Sequence, residues 1–210
     1  MTATSSPTNP FSFDFAPQTA QDADLVAQFG FLPGLQELLT VRQVHALEHA
    51  TVWVLGESNR SRVPADGNPN GLTDNESLGG MSTENGFYLY GNVSISDLRC
   101  AVQTALQRIK NGEWDLAVHP RCGTNVSVGM LLGVGLAFTL NQVLPKTPLE
   151  QILGLGIAAT TAAEISPGLG QWVQRYVTTS IPFNLTIVDI APTQDMWGRQ
   201  AYFVRVRWSQ

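Results

Sequence analysis

The 210-residue chain has little charge, almost no cysteine and no concentration of basic residues. Charged residues make up 14% of the sequence, against about 25% in ordinary soluble domains, and this shortage favours a protein that contacts a membrane. The 12 Lys and Arg residues are scattered and the net charge is −5, which excludes the basic surface that nucleic-acid binding requires. Two cysteines, Cys100 and Cys122, cannot form a disulfide framework, so a reducing, cytoplasmic location is expected.

The N-terminal segment lacks the features of a signal peptide. Residues 1–21 contain no Lys or Arg and are rich in Thr, Ser, Pro and Asn, with no long apolar stretch. We predict a disordered tail here, followed by a cytoplasmic globular domain over residues 22–121.

The globular sequence mixes helical and strand patterns. Apolar residues recur at helical spacing on most sides of residues 35–55, which predicts a buried helix. A second helix begins after Ser94, which can cap it together with Asp97. Residues 58–86 have the composition of a long loop. Short strands are predicted at residues 87–90, 114–118, 184–190 and 201–208. The expected fold is α+β, with two packed helices and a small mixed sheet that residues 177–210 complete.

An uncharged segment interrupts this globular sequence. Residues 126–144 would span about 28 Å as a helix, close to the roughly 30 Å of bilayer hydrocarbon. A turn at residues 145–148 then starts a second apolar helix, so residues 122–176 are predicted to form an inserted two-helix transmembrane hairpin. Gly129 and Gly133 in the first helix, and small residues in the second, favour close packing of the two. The alternative is a pair of helices buried in a soluble core.

Basic residues lie mainly on the open side of this predicted hairpin. The turn contains Lys146 alone. The residues near or beyond the two open ends are Arg108, Lys110, Arg121, Arg175, Arg199, Arg205 and Arg207. By the positive-inside rule, both globular flanks should face the cytoplasm. The sequence therefore predicts a membrane protein with a cytoplasmic globular part.

All three histidines occur in two short motifs, of which the first lies on the predicted buried helix. His45 and His49 are four residues apart, so their imidazoles lie on one helix face about 5 to 6 Å apart, where both can bind one ion. With Glu48 they form His-x-x-Glu-His, the inverted zinc-peptidase pattern, in which both histidines bind zinc and the glutamate activates water. Glu48 is therefore the candidate catalytic residue.

The second motif is His119-Pro-Arg-Cys122, directly before the predicted hairpin. Histidine and cysteine thiolate are common zinc ligands. A zinc site made of His45, His49, His119 and Cys122 would be closed and structural, whereas replacement of one protein ligand by water would make it catalytic. The sequence leaves both open. It also leaves open a third interpretation, in which the histidines form core hydrogen bonds and Cys122 belongs only to a turn.

Four segments of the sequence resemble those of a known family: VHALEHATV, GFYLYG, LAVHPRCGTN and QRYVTT. They are similar to an uncharacterised membrane-protein family of cyanobacteria that is described only as domain of unknown function 6391. This resemblance implies a location in the thylakoid or plasma membrane. The chain is also distantly similar to the bacterial YqhQ-type family, whose members pair His-x-x-Glu-His with HPRCGT. The likeness covers about residues 36–190. It marks as signature positions His45, Glu48, His49, His119, Arg121, Cys122 and Gly123. It implies no particular activity, and the chain lacks the further membrane segments of the YqhQ type, which argues against transport.

These observations predict an integral membrane protein with a zinc site at the membrane surface, acting in membrane-protein biogenesis or maintenance. Two alternatives stay open. The protein would be a metal-dependent hydrolase if Glu48 served as the base, or a metal-free scaffold or assembly subunit of a membrane complex. Its expected partners are the lipid bilayer and such a complex, with no nucleic acid.

Overall fold

The computed structural model describes residue 17 and residues 21–60, 77–144 and 147–209. In chain order its main elements are α1 (Gln21–Phe29), α2 (Leu35–Arg60), β1 (Gly79–Thr83), β2 (Gly86–Tyr90), α3 (Ile95–Lys110), α4 (Gly123–Val143), α5 (Pro148–Val173), β3 (Leu185–Gln194) and β4 (Gln200–Trp208). A short 3-10 helix (Trp114–Ala117) follows α3, and a π-helical turn (Gln174–Thr178) extends α5. The α+β class is confirmed.

The four strands form one sheet in the order β1-β2-β4-β3, and every neighbouring pair is antiparallel. We expected a mixed sheet, with parallel and antiparallel pairs, and this prediction is wrong because all three pairs are antiparallel. The strand predicted at residues 114–118 is also wrong, because the chain forms the 3-10 helix there and packs Leu116 and Ala117 into the core.

Strand β1 lies within residues 58–86, where we predicted only a loop. Its sequence, Gly-Gly-Met-Ser-Thr, has few residues that favour strands. Pairing with β2 through the turn at Glu84 and Asn85 holds it extended. Residues 61–76 of that predicted loop, and most of the predicted disordered tail, lie outside the described residues.

Helix α2 passes through the middle of the globular part and packs against α3, β1 and the 3-10 helix. Its buried apolar side chains point in several directions around the axis, as the prediction of a buried helix required. Helix α3 begins as predicted: Ser94 accepts a hydrogen bond from the backbone N–H of Asp97, and a single apolar stripe faces the core.

Helices α4 and α5 form an antiparallel hairpin that leaves the globular part. Gly133 faces Ala162, and Gly154 faces Leu140, which is the close packing that the small residues predicted. The segments Gly123–Val143, with 21 residues, and Pro148–Thr178, with 31 residues, are long and apolar enough to cross a membrane. No residue of α4 is buried, so the alternative of two helices enclosed in a soluble core does not describe it.

Candidate metal centre

Helix α2 places His45 and His49 on one face, one turn apart, as their spacing predicted. Their ring centroids are 4.3 Å apart with an edge-to-face arrangement. His49 is buried and His45 is half-buried. The pair therefore lies at the boundary between the core and a cavity.

Cys122 approaches this pair from the start of the hairpin. It is the N-cap residue of α4, and its Sγ atom lies 3.2 Å from Nε2 of His45. One ligand atom from each of His45, His49 and Cys122 lies within 4.8 Å of the others. Tetrahedral zinc, with bonds of about 2.0 to 2.3 Å, separates its ligand atoms by roughly 3.5 Å, so small side-chain movements would bring all three to one ion.

Backbone carbonyl groups set the orientation of both imidazoles. Nδ1 of His45 lies 3.0 Å from the carbonyl oxygen of Thr178, and Nδ1 of His49 lies 2.7 Å from that of Ala117. A carbonyl oxygen can only accept, so Nδ1 of each ring carries a proton, and Nε2 is the nitrogen left to bind a metal. This pattern is typical of metal-binding histidines, whose second nitrogen donates to a carbonyl or carboxylate group.

The surroundings of Cys122 favour its thiolate. Burial alone would raise the pKa of the thiol, but the hydrogen bond and charge of His49, together with the hydrogen bonds of Thr124, lower it overall. The backbone N–H of Thr124 lies 3.4 Å from the sulfur in the first turn of α4, and helix N-termini stabilise thiolates in this way.

Glu48 lies on α2 between the two histidines and is buried. Its Oε2 accepts a hydrogen bond of 2.5 Å from the hydroxyl of Ser82, and its carboxylate packs against the Cα atom of Gly80. Burial raises the pKa of Glu48, while the hydrogen bond from Ser82 and the charge of His45 partly oppose this. Ser82 and Gly80 belong to β1, and neither could be predicted as a site residue because that strand was not predicted.

His119 lies beside the three-residue group without belonging to it. The His119 side chain is buried, its ring centroid lies 5.6 Å from that of His49 and 4.7 Å from that of Trp53, and its Nδ1 accepts a hydrogen bond of 3.3 Å from the backbone N–H of Arg121. Within the described residues, three of the four predicted ligands therefore come together. A role of His119 as the fourth ligand stays a prediction.

Two polar residues of the hairpin hold the His119–Cys122 turn in place. The buried side chain of Gln174 accepts a hydrogen bond of 2.8 Å from the backbone N–H of His119 and donates one of 2.7 Å to Asn125. Asn125 in turn donates to the carbonyl oxygen of Pro120 at 2.7 Å. Sequence reasoning missed Gln174, although a glutamine at the end of a long apolar helix is a recognisable signal.

The three candidate ligands border one cavity of about 440 Å³, together with Glu48 and His119. The walls of the cavity are α2, strand β1 and the turn that leads into α4. Its lining includes His45, Glu48, His49, Gly80, Ser82 and Cys122. A cavity of this size can hold a small molecule or part of a larger one.

The comparison with protein families matches residues 40–190 to the family described as a domain of unknown function, DUF6391. The chain is also 50% identical over 194 residues to an uncharacterised protein of a Picosynechococcus species, with 92% of each chain covered. No solved structure matches it. These comparisons do not show the similarity to YqhQ-type proteins, which stays a prediction. The matched family and the close cyanobacterial relative establish that this chain belongs to the DUF6391 family.

Proposed function

We propose that this protein is a membrane-anchored zinc hydrolase. The observation that carries the proposal is the convergence of His45, His49 and Cys122 in a cavity that also contains the carboxylate of Glu48. Three protein ligands leave a fourth tetrahedral position for water or substrate, and this arrangement distinguishes catalytic from structural zinc sites. Two imidazoles and a thiolate are a ligand set that suits zinc.

The membrane part of the proposal rests on the surface of the hairpin. Large apolar side chains are exposed along both helices, among them Leu131, Phe138 and Ile157. Contact of such a large apolar surface with water is unfavourable in free energy. The basic residues near its open end favour a cytoplasmic globular part. Because Cys122 caps α4, the proposed zinc site lies at the membrane surface, where a role in membrane-protein biogenesis or maintenance is consistent with the position.

Glu48 is proposed as the general base. A zinc ion held at the site would polarise a substrate carbonyl and lower the pKa of water. The carboxylate of Glu48 would accept a proton from the attacking water and return it to the leaving group when the acyl bond breaks. Ser82 holds this carboxylate in position through the hydrogen bond to Oε2.

The first experiment measures the metal in protein purified in detergent. We expect about one zinc ion per chain in the wild type and in Glu48→Gln, and loss of zinc in His49→Ala and Cys122→Ser. Cys100→Ser is the matched control, because Cys100 is exposed on α3. A wild-type protein without zinc would contradict the proposal and favour the metal-free scaffold.

The second experiment asks whether the site has an open position. Cobalt is substituted for zinc, and the visible spectrum is recorded as acetohydroxamate is added. A spectral change in both the wild type and His119→Ala is expected if three residues bind the ion. An unchanged wild-type spectrum, together with loss of the ion in His119→Ala, would identify a closed structural site and exclude hydrolysis there.

A further inference from the structure

Strand β1 is an edge of the sheet, and it borders the cavity of the candidate metal centre. Four successive residues, Gly79 to Ser82, line that cavity. Successive side chains of a strand point to opposite faces, and the two glycines have no side chain, so a cavity lined by four residues in a row reaches the backbone of β1 and not only the side chains of one face.

The pairing of β1 with β2 determines which backbone groups point into this space. Two residues, Glu84 and Asn85, separate the paired residues Thr83 and Gly86, so this pair is of the hydrogen-bonded type and the type alternates along the ladder. Gly80 and Ser82 are then non-hydrogen-bonded positions, whose N–H and C=O groups point away from β2. Within the described residues, no hydrogen bond engages these outward groups.

Among the described residues, the edge is also sterically open at Gly79. Gly79 and Gly80 have no side chains, and a Cβ atom added to Gly79 would meet no described atom within 4 Å. The side chain of Ser82 is turned towards Glu48 on α2, away from the edge. Open, unpaired strand edges are natural sites for the addition of another strand.

We propose that the cavity takes an extended peptide, which pairs as an added antiparallel strand with the outer edge of β1. Backbone hydrogen bonds to Gly80 and Ser82 would supply the affinity, as in other cases of strand addition. This inference rests on the proposed function and names its substrate class: a protein segment in extended conformation, rather than a lipid or a small ester.

The position of the edge connects binding to the proposed chemistry. The same residue, Ser82, pairs with the peptide through its backbone and orients Glu48 through its hydroxyl. A peptide bond in the added strand would therefore lie beside Glu48 and the three ligands. In its hydrolysis, water adds to the carbonyl carbon, the C–N bond breaks, and the proton accepted by Glu48 passes to the departing amine.

The test uses full-length, zinc-loaded protein in detergent and four probes. Acetohydroxamate binds a metal with an open position and has no peptide. N-acetyl-Val-Ala-Val hydroxamate adds a short peptide to the same metal-binding group. The last two probes are this tripeptide with an N-methyl group either on its first valine or on its central alanine, whose N–H groups point in opposite directions in a strand.

We expect the tripeptide hydroxamate to bind at least about tenfold more tightly than acetohydroxamate, because two or more hydrogen bonds are added. One of the two N-methyl groups should remove most of this gain, and the other should leave it within about twofold, since only one N–H faces β1. Equal losses for the two methylated probes, or no gain for the tripeptide, would overturn the peptide proposal while acetohydroxamate still binds. Failure of acetohydroxamate itself would overturn the hydrolase proposal and this inference with it.

Discussion

Helices α2 and α5 each contain 26 residues, yet their surroundings differ completely. Helix α2 buries large side chains such as Leu47 and Leu55 against the sheet and α3. Helix α5 buries only Gly154, Ala158, Ala162 and Gly170, and its large apolar residues are exposed. One helix is thus enclosed by protein, whereas the other presents an apolar surface that the described residues leave uncovered.

This contrast shows that apolar content alone does not decide where a helix lies. Helix α2 has polar groups in or beside the core that need protein partners. Backbone carbonyl oxygens accept hydrogen bonds from His45 and His49, and Ser82 donates one to Glu48. Helix α4, by comparison, contains no ionisable side chain. The hairpin packs through close contacts at small residues, a type of contact that also joins helices in lipid.

The largest expected difference concerns the removal of a leucine side chain from each region. Leu47→Ala in α2, where Leu47 is 0% exposed, should lower the free energy of unfolding by about 2 to 5 kcal/mol. Leu131→Ala in α4, where Leu131 is 74% exposed, should change it by less than about 0.5 kcal/mol. Thermal unfolding of both variants in detergent measures this, and equal losses would show that the two helices share one environment.

A second pair of variants places the same charge on both helices. Leu131→Arg should raise the apparent free energy of inserting α4 into a membrane by about 2.5 to 3.5 kcal/mol, measured with glycosylation reporter sites on the two sides of the segment. Leu38→Arg, at the exposed N-terminal end of α2, should leave both insertion and stability within about 0.5 kcal/mol of the wild type. Normal insertion of α4 with Arg at position 131 would argue against a membrane span.

Two neighbouring glycines sharpen the comparison within the globular part. A Cβ atom at Gly80 would overlap the carboxylate of Glu48, whereas one at Gly79 would meet open space. Gly80→Ala should therefore lower stability by about 1 to 3 kcal/mol through overpacking and displace Glu48, while Gly79→Ala should be nearly neutral. Thermal unfolding of both variants tests this, and similar stability of the two would contradict the packing of Glu48 against β1.

The smallest expected effect is a change in the free energy of unfolding of the globular part as the pH falls. Burial opposes ionisation of Asp195, but hydrogen bonds from Arg199, Tyr90 and the N–H of Trp197 lower its pKa to about 2. A depressed carboxyl pKa contributes stability above its unfolded value of about 4, and this contribution is lost as the pH falls towards 2. Asp195→Asn should therefore be less stable than the wild type near neutral pH, and the difference should shrink between pH 4 and 2. Melting curves across that range check this, and a constant difference would refute it.

Local features of the sequence were enough to predict several elements. The capping residues Ser94 and Asp97 fixed the start of α3, and small residues at helical spacing indicated the packed face of the hairpin. Both depend on contacts within a few residues or on simple periodicity. The 3-10 helix at Trp114–Ala117 and strand β1 could not be predicted in this way, because a segment becomes a strand only where a neighbouring strand is free to pair with it.

The candidate site also combines features that local sequence predicts with features that depend on distant parts of the chain. Four-residue spacing on one helix placed His45 and His49 together, since the geometry of an α-helix is independent of the rest of the fold. Which later residue joins them depended on the path of the chain over more than seventy positions. Gln174 and Asn125 hold that path so that Cys122 meets His45 while His119 packs against Trp53. Those contacts come from distant parts of the chain, so only the tertiary structure decided them.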